Sequence, residues 1–265
     1  MIKITAIGDC GIDYYVNQKK SLVGGIAFNF ISNCQELGGK CSLISCIGSN
    51  EKEQIIKVID SKKINNTLLK IKLGNSALQK ISILNDGSRK FVGYKKGVLK
   101  EFQLTEKDKS FLVMQDIIFC PLSDGIEHIF EEIAQLDIKG IKVADFSIDH
   151  KKFSLNKLEN YVGKFEISFL GGTKEMVDEI LPLFKGSENI IVITMGKDGS
   201  VALKNGEKIF QEIIPIKVVD TTGCGDAFQA AFVMEYVKTK NIASALLSGA
   251  QHAAKIAQHL GGIKQ

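Results

Sequence analysis

The chain has 265 residues, 45% of them hydrophobic and 24% charged, the balance of a globular protein long enough to bury a large core without disulfides or metals. Its net charge of +4, from 34 basic and 30 acidic residues with no basic block, gives no reason to expect a nucleic-acid partner. No apolar run approaches the ~20 residues of a membrane span, and the N-terminal MIKITAIGD has strand character without a signal-peptide profile.

In chain order, residues 2–7 read as a strand ending in a loop over 8–13. Gly24-Gly25 opens a helix with Ile26, Asn29, Phe30, Asn33 and Leu37 at helical spacing, closed by Gly38-Gly39. A buried strand over 41–47 and a helix over 51–60 follow. The stretch 67–94 differs: three strand candidates (68–73, 78–84, 90–94) are joined by Gly74-Asn75 and Asn85-Asp86-Gly87-Ser88, which carry hairpin chemistry. Alternation then resumes. Strands are expected at 116–120, 141–145, 166–170 and 189–194, with helices around 125–136, 155–161 and 174–183. A strand pair at 200–203 and 208–213 precedes two helices at 225–238 and 243–259. Repeated βα units imply an α/β fold with a mostly parallel sheet covered by helices on both faces. Ligands on such sheets sit at the carboxyl ends of the strands. The six cysteines (Cys10, Cys34, Cys41, Cys46, Cys120, Cys224) form no CxxC pair and read as reduced, buried thiols, so a cytoplasmic setting is expected.

The segment Asp220-Thr221-Thr222-Gly223-Cys224-Gly225-Asp226 stands directly before a helix. Two glycines one residue apart let backbone N–H groups turn inward as an anion-binding concavity, and the helix adds its positive end. An acid beside such a cradle repels an anion, yet suits a general base that takes a proton from an attacking hydroxyl. Asp226 is thus the candidate base, and the amides of Gly223, Cys224 and Gly225 are candidates to stabilise transferred charge. The local sequence alone leaves open a plain glycine-rich helix start with Asp226 on the helix dipole. A P-loop would need GxxxxGK[ST], and a dinucleotide fingerprint would need Gly or Ala where Phe228 stands.

DTTGCGDAF resembles the D-T-x-G-A-G-D motif of the ribokinase-like (PfkB) carbohydrate kinases, with Cys224 in place of alanine. Gly24-Gly25-Ile26-Ala27-Phe28-Asn29 is similar to the family's G-G-x-x-x-N sugar motif. Asp9 and Asp13 match its acidic positions after the first strand, and Thr194 to Gly199 matches its T-x-G-x-x-G nucleotide loop. These motifs occur in family order across residues 1–265. The resemblance implies a three-layer α/β/α sandwich with a small β-sheet lid from about 12–24 and 67–98. It implies an ATP-dependent kinase that needs Mg²⁺, with a monovalent cation such as K⁺ possible near Asp220 and Thr222. Asp9, Asp13, Gly24, Gly25 and Asn29 would bind the acceptor sugar. Thr194, Gly196, Gly199, Thr222, Gly223 and Gly225 would bind the nucleotide, and Glu175 and Asp220 would lie near the metal. One departure stands out: the family's N-x-x-E appears as Gly172 to Glu175, without its asparagine. The lid sheets of this family often pair, so a homodimer is expected.

Asp9 to Tyr15, Gly93 to Val98 and Asp145-Phe146-Ser147 resemble the bacterial fructoselysine 6-kinase branch of the family. A fructose-amine carries a carboxylate, which the chain's single arginine, Arg89, could grip from the lid. Phosphoryl transfer to a primary hydroxyl of a sugar or sugar-amine is the leading expectation. The alternatives are a kinase of another sugar (fructose, ribose) or a nucleoside, a non-catalytic sugar- or nucleotide-binding regulator on the same fold, and a nucleotide-dependent oxidoreductase. The last is disfavoured because no GxGxxG follows the first strand.

Overall fold

Strand β1 (Lys3–Ile7) is buried from Ile4 onward, and the chain leaves the sheet at Gly8. The computed structural model describes residues 1–146 and 158–265. Where a loop is expected over 8–13, the chain instead forms a hairpin, β2 (Gly11–Tyr15) and β3 (Lys20–Gly24). Helix α1 (Ile26–Glu36) starts after Gly25, whose φ of +116° strains any residue with a Cβ. β4 (Lys40–Ile44) returns parallel to β1, with Lys40 opposite Lys3.

The run 41–47, expected as one strand, breaks at Ser45. β5 (Cys46–Gly48) leaves the main sheet, α2 (Lys52–Ser61) follows, and β6 (Lys70–Lys72) pairs with β5. Segment 68–73 therefore stands outside the small sheet. That sheet continues at β7 (Ala77–Ile83) and β8 (Arg89–Lys95), in the order β3–β2–β7–β8.

Helix α3 (Glu106–Leu112) is not among the expected elements, though its signal is in the sequence. Thr105 and Asp108 form a capping box, each side chain accepting from the other's backbone N–H. The chain continues through β9 (Ile117–Pro121), α4 (Glu127–Gln135), β10 (Ile141–Asp145), β11 (Ile167–Gly171) and α5 (Lys174–Ile180). The helix expected around 155–161 falls largely outside the described residues, as does Ser147. α5 passes into a 3-10 turn at Leu181–Phe184, where Pro182 lacks the N–H an α-helix would use. β12 (Ile190–Thr194), β13 (Ser200–Lys204), β14 (Glu207–Gln211), α6 (Cys224–Thr239) and α7 (Ile242–Ile256) complete the described chain.

The main sheet runs β14–β13–β12–β11–β10–β9–β1–β4, parallel from β4 to β12 and antiparallel at β13 and β14. Period-2 alternation sorts its side chains. Ile117 and Phe119 join a core with α1, α2, α6 and α7, whereas Ile118 and Cys120 join a core with α3, α4 and α5. The result is three layers, helices–sheet–helices. From β1 the chain crosses through α1 to β4 on one side, while β9 flanks β1 on the other. Loops therefore diverge at the carboxyl end of β1 and open a crevice there. The small sheet springs from the same end.

Candidate active site

Gly223 takes the left-handed conformation at φ +73° and starts α6, which puts Asp226 in that helix's first turn. Asn29, buried in the first turn of α1, meets it across 197 residues of chain: Asn29 Nδ2 donates to Asp226 Oδ2 at 2.8 Å. Burial pushes the Asp226 carboxyl well above its usual range, and Asp145 and Asp9 add to this. The Asn29 bond and Arg89 oppose it. A base raised in this way has more affinity for a hydroxyl proton than an ordinary carboxylate.

Asp9, expected at the acceptor, has a structural occupation. Its Oδ2 accepts from Ile26 N at 3.0 Å and its Oδ1 from Ala27 N at 3.1 Å, so it caps α1 and sets the entry of Asn29. Gly25 follows the same logic, since a Cβ there would lie 2.8 Å from the Asp9 carbonyl oxygen. Asp13 is buried on β2, and burial together with Asp9 and Asp220 raises its carboxyl to about 7, against the pull of Arg89. Gly24 makes room for it: a Cβ at Gly24 would fall 2.0 Å from Asp13 Oδ2.

Asp220, expected near a metal, is fully buried. Its Oδ1 accepts from Thr222 N and its Oδ2 from Gly261 N, both at 2.8 Å. It therefore ties the 220–223 loop to the segment after α7. That segment was not anticipated. A Cβ on Gly223 would lie 2.3 Å from Gly262 Cα, and one on Gly262 would lie 2.6 Å from Asn29 Nδ2. Gly262 is thus wedged between the loop and the amide that holds Asp226. Its only sequence signal is a Gly-Gly pair after the last helix. Cys224 is half-buried and burial pushes its thiol up to about 12, so the thiol stays protonated at neutral pH.

The small sheet leans over this site. Thr221 N donates to Gly87 O at 3.1 Å, and Arg89 Nη1 donates to Thr221 O at 2.6 Å. The guanidinium expected to grip a carboxylate is turned to the 220–226 loop. Register puts Asp13, Gln79 and Tyr94 in line on one face of the sheet. Burial and the nearby Asp9, Asp124 and Glu127 raise the Tyr94 phenol. Gln79 had no sequence signal.

Thr194, Gly196, Gly199 and Glu175 form a separate group at the ends of β12 and β11. Gly196 and Gly199 have φ of +58° and +87°, as the tight β12–β13 turn requires. Gly172 N donates to Thr194 O at 2.9 Å, and a Cβ at Gly172 would lie 2.6 Å from Ile193 Cγ2, so Ile193 in its present position leaves room only for glycine there. Glu175 is exposed in the first turn of α5, and its carboxyl is held low by the Thr173 side chain. Lys174 reaches Asp198 at 4.0 Å and joins that turn to the β12–β13 turn. Among the described residues no group of three or more His, Cys, Asp or Glu is gathered as a metal cage. A phosphate-bound Mg²⁺ needs only one or two carboxylates besides water and substrate oxygens. Gly225 and Gly196 both face open space where a Cβ would stand, room that suits phosphate groups over the start of α6 and along the β12–β13 turn.

The family model described as pfkB family carbohydrate kinase matches residues 1–265. The chain is 28% identical to fructoselysine 6-kinase of Escherichia coli, over 98% of this chain and 99% of that protein. It is 26% identical to fructosamine kinase FrlD of Bacillus subtilis, over 96% and 90%. Its fold superposes on the nucleoside kinase of Methanocaldococcus jannaschii, a member of the ribokinase family, with a TM-score of 0.82 at 21% identity, covering 99% of this chain and 93% of that one. The adenosine kinase from Sinorhizobium meliloti gives 0.83 at 17% identity, covering 99% and 96%. A ribokinase-like sandwich, a left-handed glycine at the mouth of α6 and an acid held by the Asn29 amide agree with the family match: the chain belongs to the pfkB family of carbohydrate kinases and is an ATP-dependent enzyme of that kind.

Proposed function

We propose that the protein transfers the γ-phosphoryl group of ATP to a primary hydroxyl of a sugar or fructose-amine, in the manner of a fructoselysine 6-kinase. The Asn29–Asp226 hydrogen bond, which joins the sugar motif to the phosphate loop, is the observation that carries this reading. The acceptor lies between Asp13, Asn29 and the Gly24-Gly25 backbone, with its hydroxyl toward Asp226. Asp226 removes the hydroxyl proton as the oxygen attacks, and the amides of Gly223, Cys224 and Gly225 stabilise charge on the transferred group. Thr194, Gly196 and Gly199 line the nucleotide, and Glu175 would hold Mg²⁺. When bound, Mg²⁺ neutralises phosphate charge. The small sheet acts as a lid that excludes water, a competing acceptor.

A monovalent cation near Thr222 fits one feature of the loop: Thr222 Oγ1 is buried and makes no hydrogen bond of good geometry among the described residues, with the Tyr15 phenol as its nearest polar neighbour. Product analysis after incubation with ATP and hexoses, pentoses, nucleosides and fructose-amines tests the reading. A phosphate on a primary hydroxyl of fructoselysine supports it, and turnover confined to nucleosides contradicts it. No described helix is long and apolar enough to cross a membrane, and a cytoplasmic enzyme is the setting that suits its free thiols.

Three expectations follow from the same geometry. Because Arg89 is bonded to Thr221, Arg89→Ala should raise KM for fructoselysine and fructose by similar factors, through a loosened lid. A rise confined to fructoselysine in steady-state assays would restore the carboxylate grip. Because the Asp13 carboxyl is raised to about 7 and accepts hydroxyl hydrogen bonds best when ionised, kcat/KM for the acceptor should climb between about pH 6 and 8. Asp13→Asn should remove its share of that limb and leave the one set by Asp226, and a pH–rate profile unchanged by the substitution would exclude Asp13 as a contributor. Finally, β8 is exposed along its whole length and is an edge of its sheet, with Phe91 and Val92 its most exposed apolar residues. A second copy is the proposed cover, so light scattering at micromolar concentration should report a dimer. A monomer would contradict the lid interface.

A further inference from the structure

Behind the Asn29–Asp226 pair lies a buried polar chain with no part in the reaction as proposed above. Asn33, one helical turn beyond Asn29 in α1, is 1% exposed, and His252, in α7, is 7% exposed. Asn33 Nδ2 donates to Asn29 O at 2.8 Å and, at the long limit of 3.5 Å, to Gly262 O. Two carbonyl acceptors fix the orientation of this amide, because the reverse would set its oxygen against both of them. Asn33 Oδ1 therefore faces His252 Nε2 at 2.8 Å, and that nitrogen must carry the imidazole proton. Burial lowers His252 below the ordinary imidazole range, against Glu36 and with Lys255, so the ring is neutral at neutral pH and donates through Nε2.

The consequences converge on the base. Gly262, whose carbonyl Asn33 approaches, has no room for a Cβ against Asn29 Nδ2 and is in turn pressed on by Gly223. A shift of Gly262 must disturb the amide that holds Asp226, the loop that cradles the phosphoryl group, or both. An apolar pair would fill the α1–α7 interface without the desolvation cost of burying an amide and an imidazole. The chain of bonds instead runs from α7 to α1 and from there to both parts of the site.

We infer that His252 and Asn33 are positioning residues, which hold the Asn29 amide on Asp226 Oδ2 and the Gly223 loop in register with it. This rests on the reading of Asp226 as the general base. A merely structural bond between helices would change the melting temperature alone. A positioning role also changes catalysis, because Asn29 is the donor that holds the Asp226 carboxyl down against burial and against Asp145 and Asp9, with Arg89 as the other opposing group.

The test uses the full-length chain with ATP and fructoselysine, and the most active acceptor of the panel alongside. His252→Leu should lower kcat about tenfold, the worth of roughly one well-made hydrogen bond. It should leave acceptor KM within about twofold and move the acid limb of kcat upward by up to about one unit. His252→Gln, whose amide can donate to Asn33 Oδ1, should recover most of both effects. Asn33→Ala, which removes bulk rather than adding strain, should reproduce the Leu result and serves where the Leu variant fails to fold. Variants with kcat and acid limb matching an active wild type overturn the inference alone, as does a Gln variant no better than Leu. A wild type inactive with every acceptor overturns the kinase reading and this inference with it.

Discussion

Asp226→Asn is expected to lower kcat by about 10²–10⁴-fold while KM for ATP and acceptor stays within about threefold. The amide keeps the size of the carboxylate and remains beside Asn29, so the loss falls on proton removal. Stability should move the other way. Burial lifts the Asp226 carboxyl well above its ordinary value of 3.8. For an acid raised in the folded state, the stability present at low pH is lost as pH rises through the folded value. The raised Asp226 thus weakens the fold progressively as pH climbs above the ordinary carboxylate range. The neutral variant should melt at or above the wild-type temperature at about pH 8 and show no such advantage at about pH 4, where both chains are neutral at this position. Thermal melts at the two pH values check this. A variant that loses activity and melts lower at pH 8 would mean a damaged loop instead of a missing base.

Gly223→Ala is expected to be nearly as damaging to turnover, for a steric reason. At φ +73° an L-residue costs about 1–2 kcal/mol. A Cβ there would also lie 2.3 Å from Gly262 Cα, a contact with backbone that cannot rotate away. The 223–225 amides must move, and removing even one such donor costs about 10²–10³ in kcat. Unlike Asp226→Asn, this variant should melt well below wild type at every pH, because the displaced Gly262 is packed against Asn29. Steady-state rates with parallel melting curves separate the two cases. A Gly223→Ala protein with wild-type kcat would mean that the loop amides do not meet the transferred group.

The sandwich was legible because apolar runs such as 117–120 and 190–193 alternate between two cores, so their burial on both faces is written locally. The DTTGCGD loop was legible because a left-handed turn and a helix start restrict residue type. The small sheet was only half legible. β2 carries Asp13 toward the crevice and Tyr15 into a small core of its own with Leu22 and Ile81, so no simple apolar alternation marks it, and the apolar run 41–47 breaks at Ser45 into a separate pair. Asp9 is expected from its place after the first strand, but that its carboxylate caps α1 is not visible there. A cap supplied from 17 residues upstream leaves no local pattern. Gly262 and His252 act on α1 across 219 residues or more, where neither spacing nor periodicity carries information.

The most direct test of the central claim is acceptor-dependent ADP release, measured side by side for wild type and Asp226→Asn with ATP, Mg²⁺ and fructoselysine. Wild type should release ADP only when acceptor is present, in step with sugar phosphate formed, and the variant should retain about one part in a hundred or less of that rate. ADP release independent of acceptor, or equal in the two proteins, would contradict the assignment of Asp226 as the base for a sugar hydroxyl.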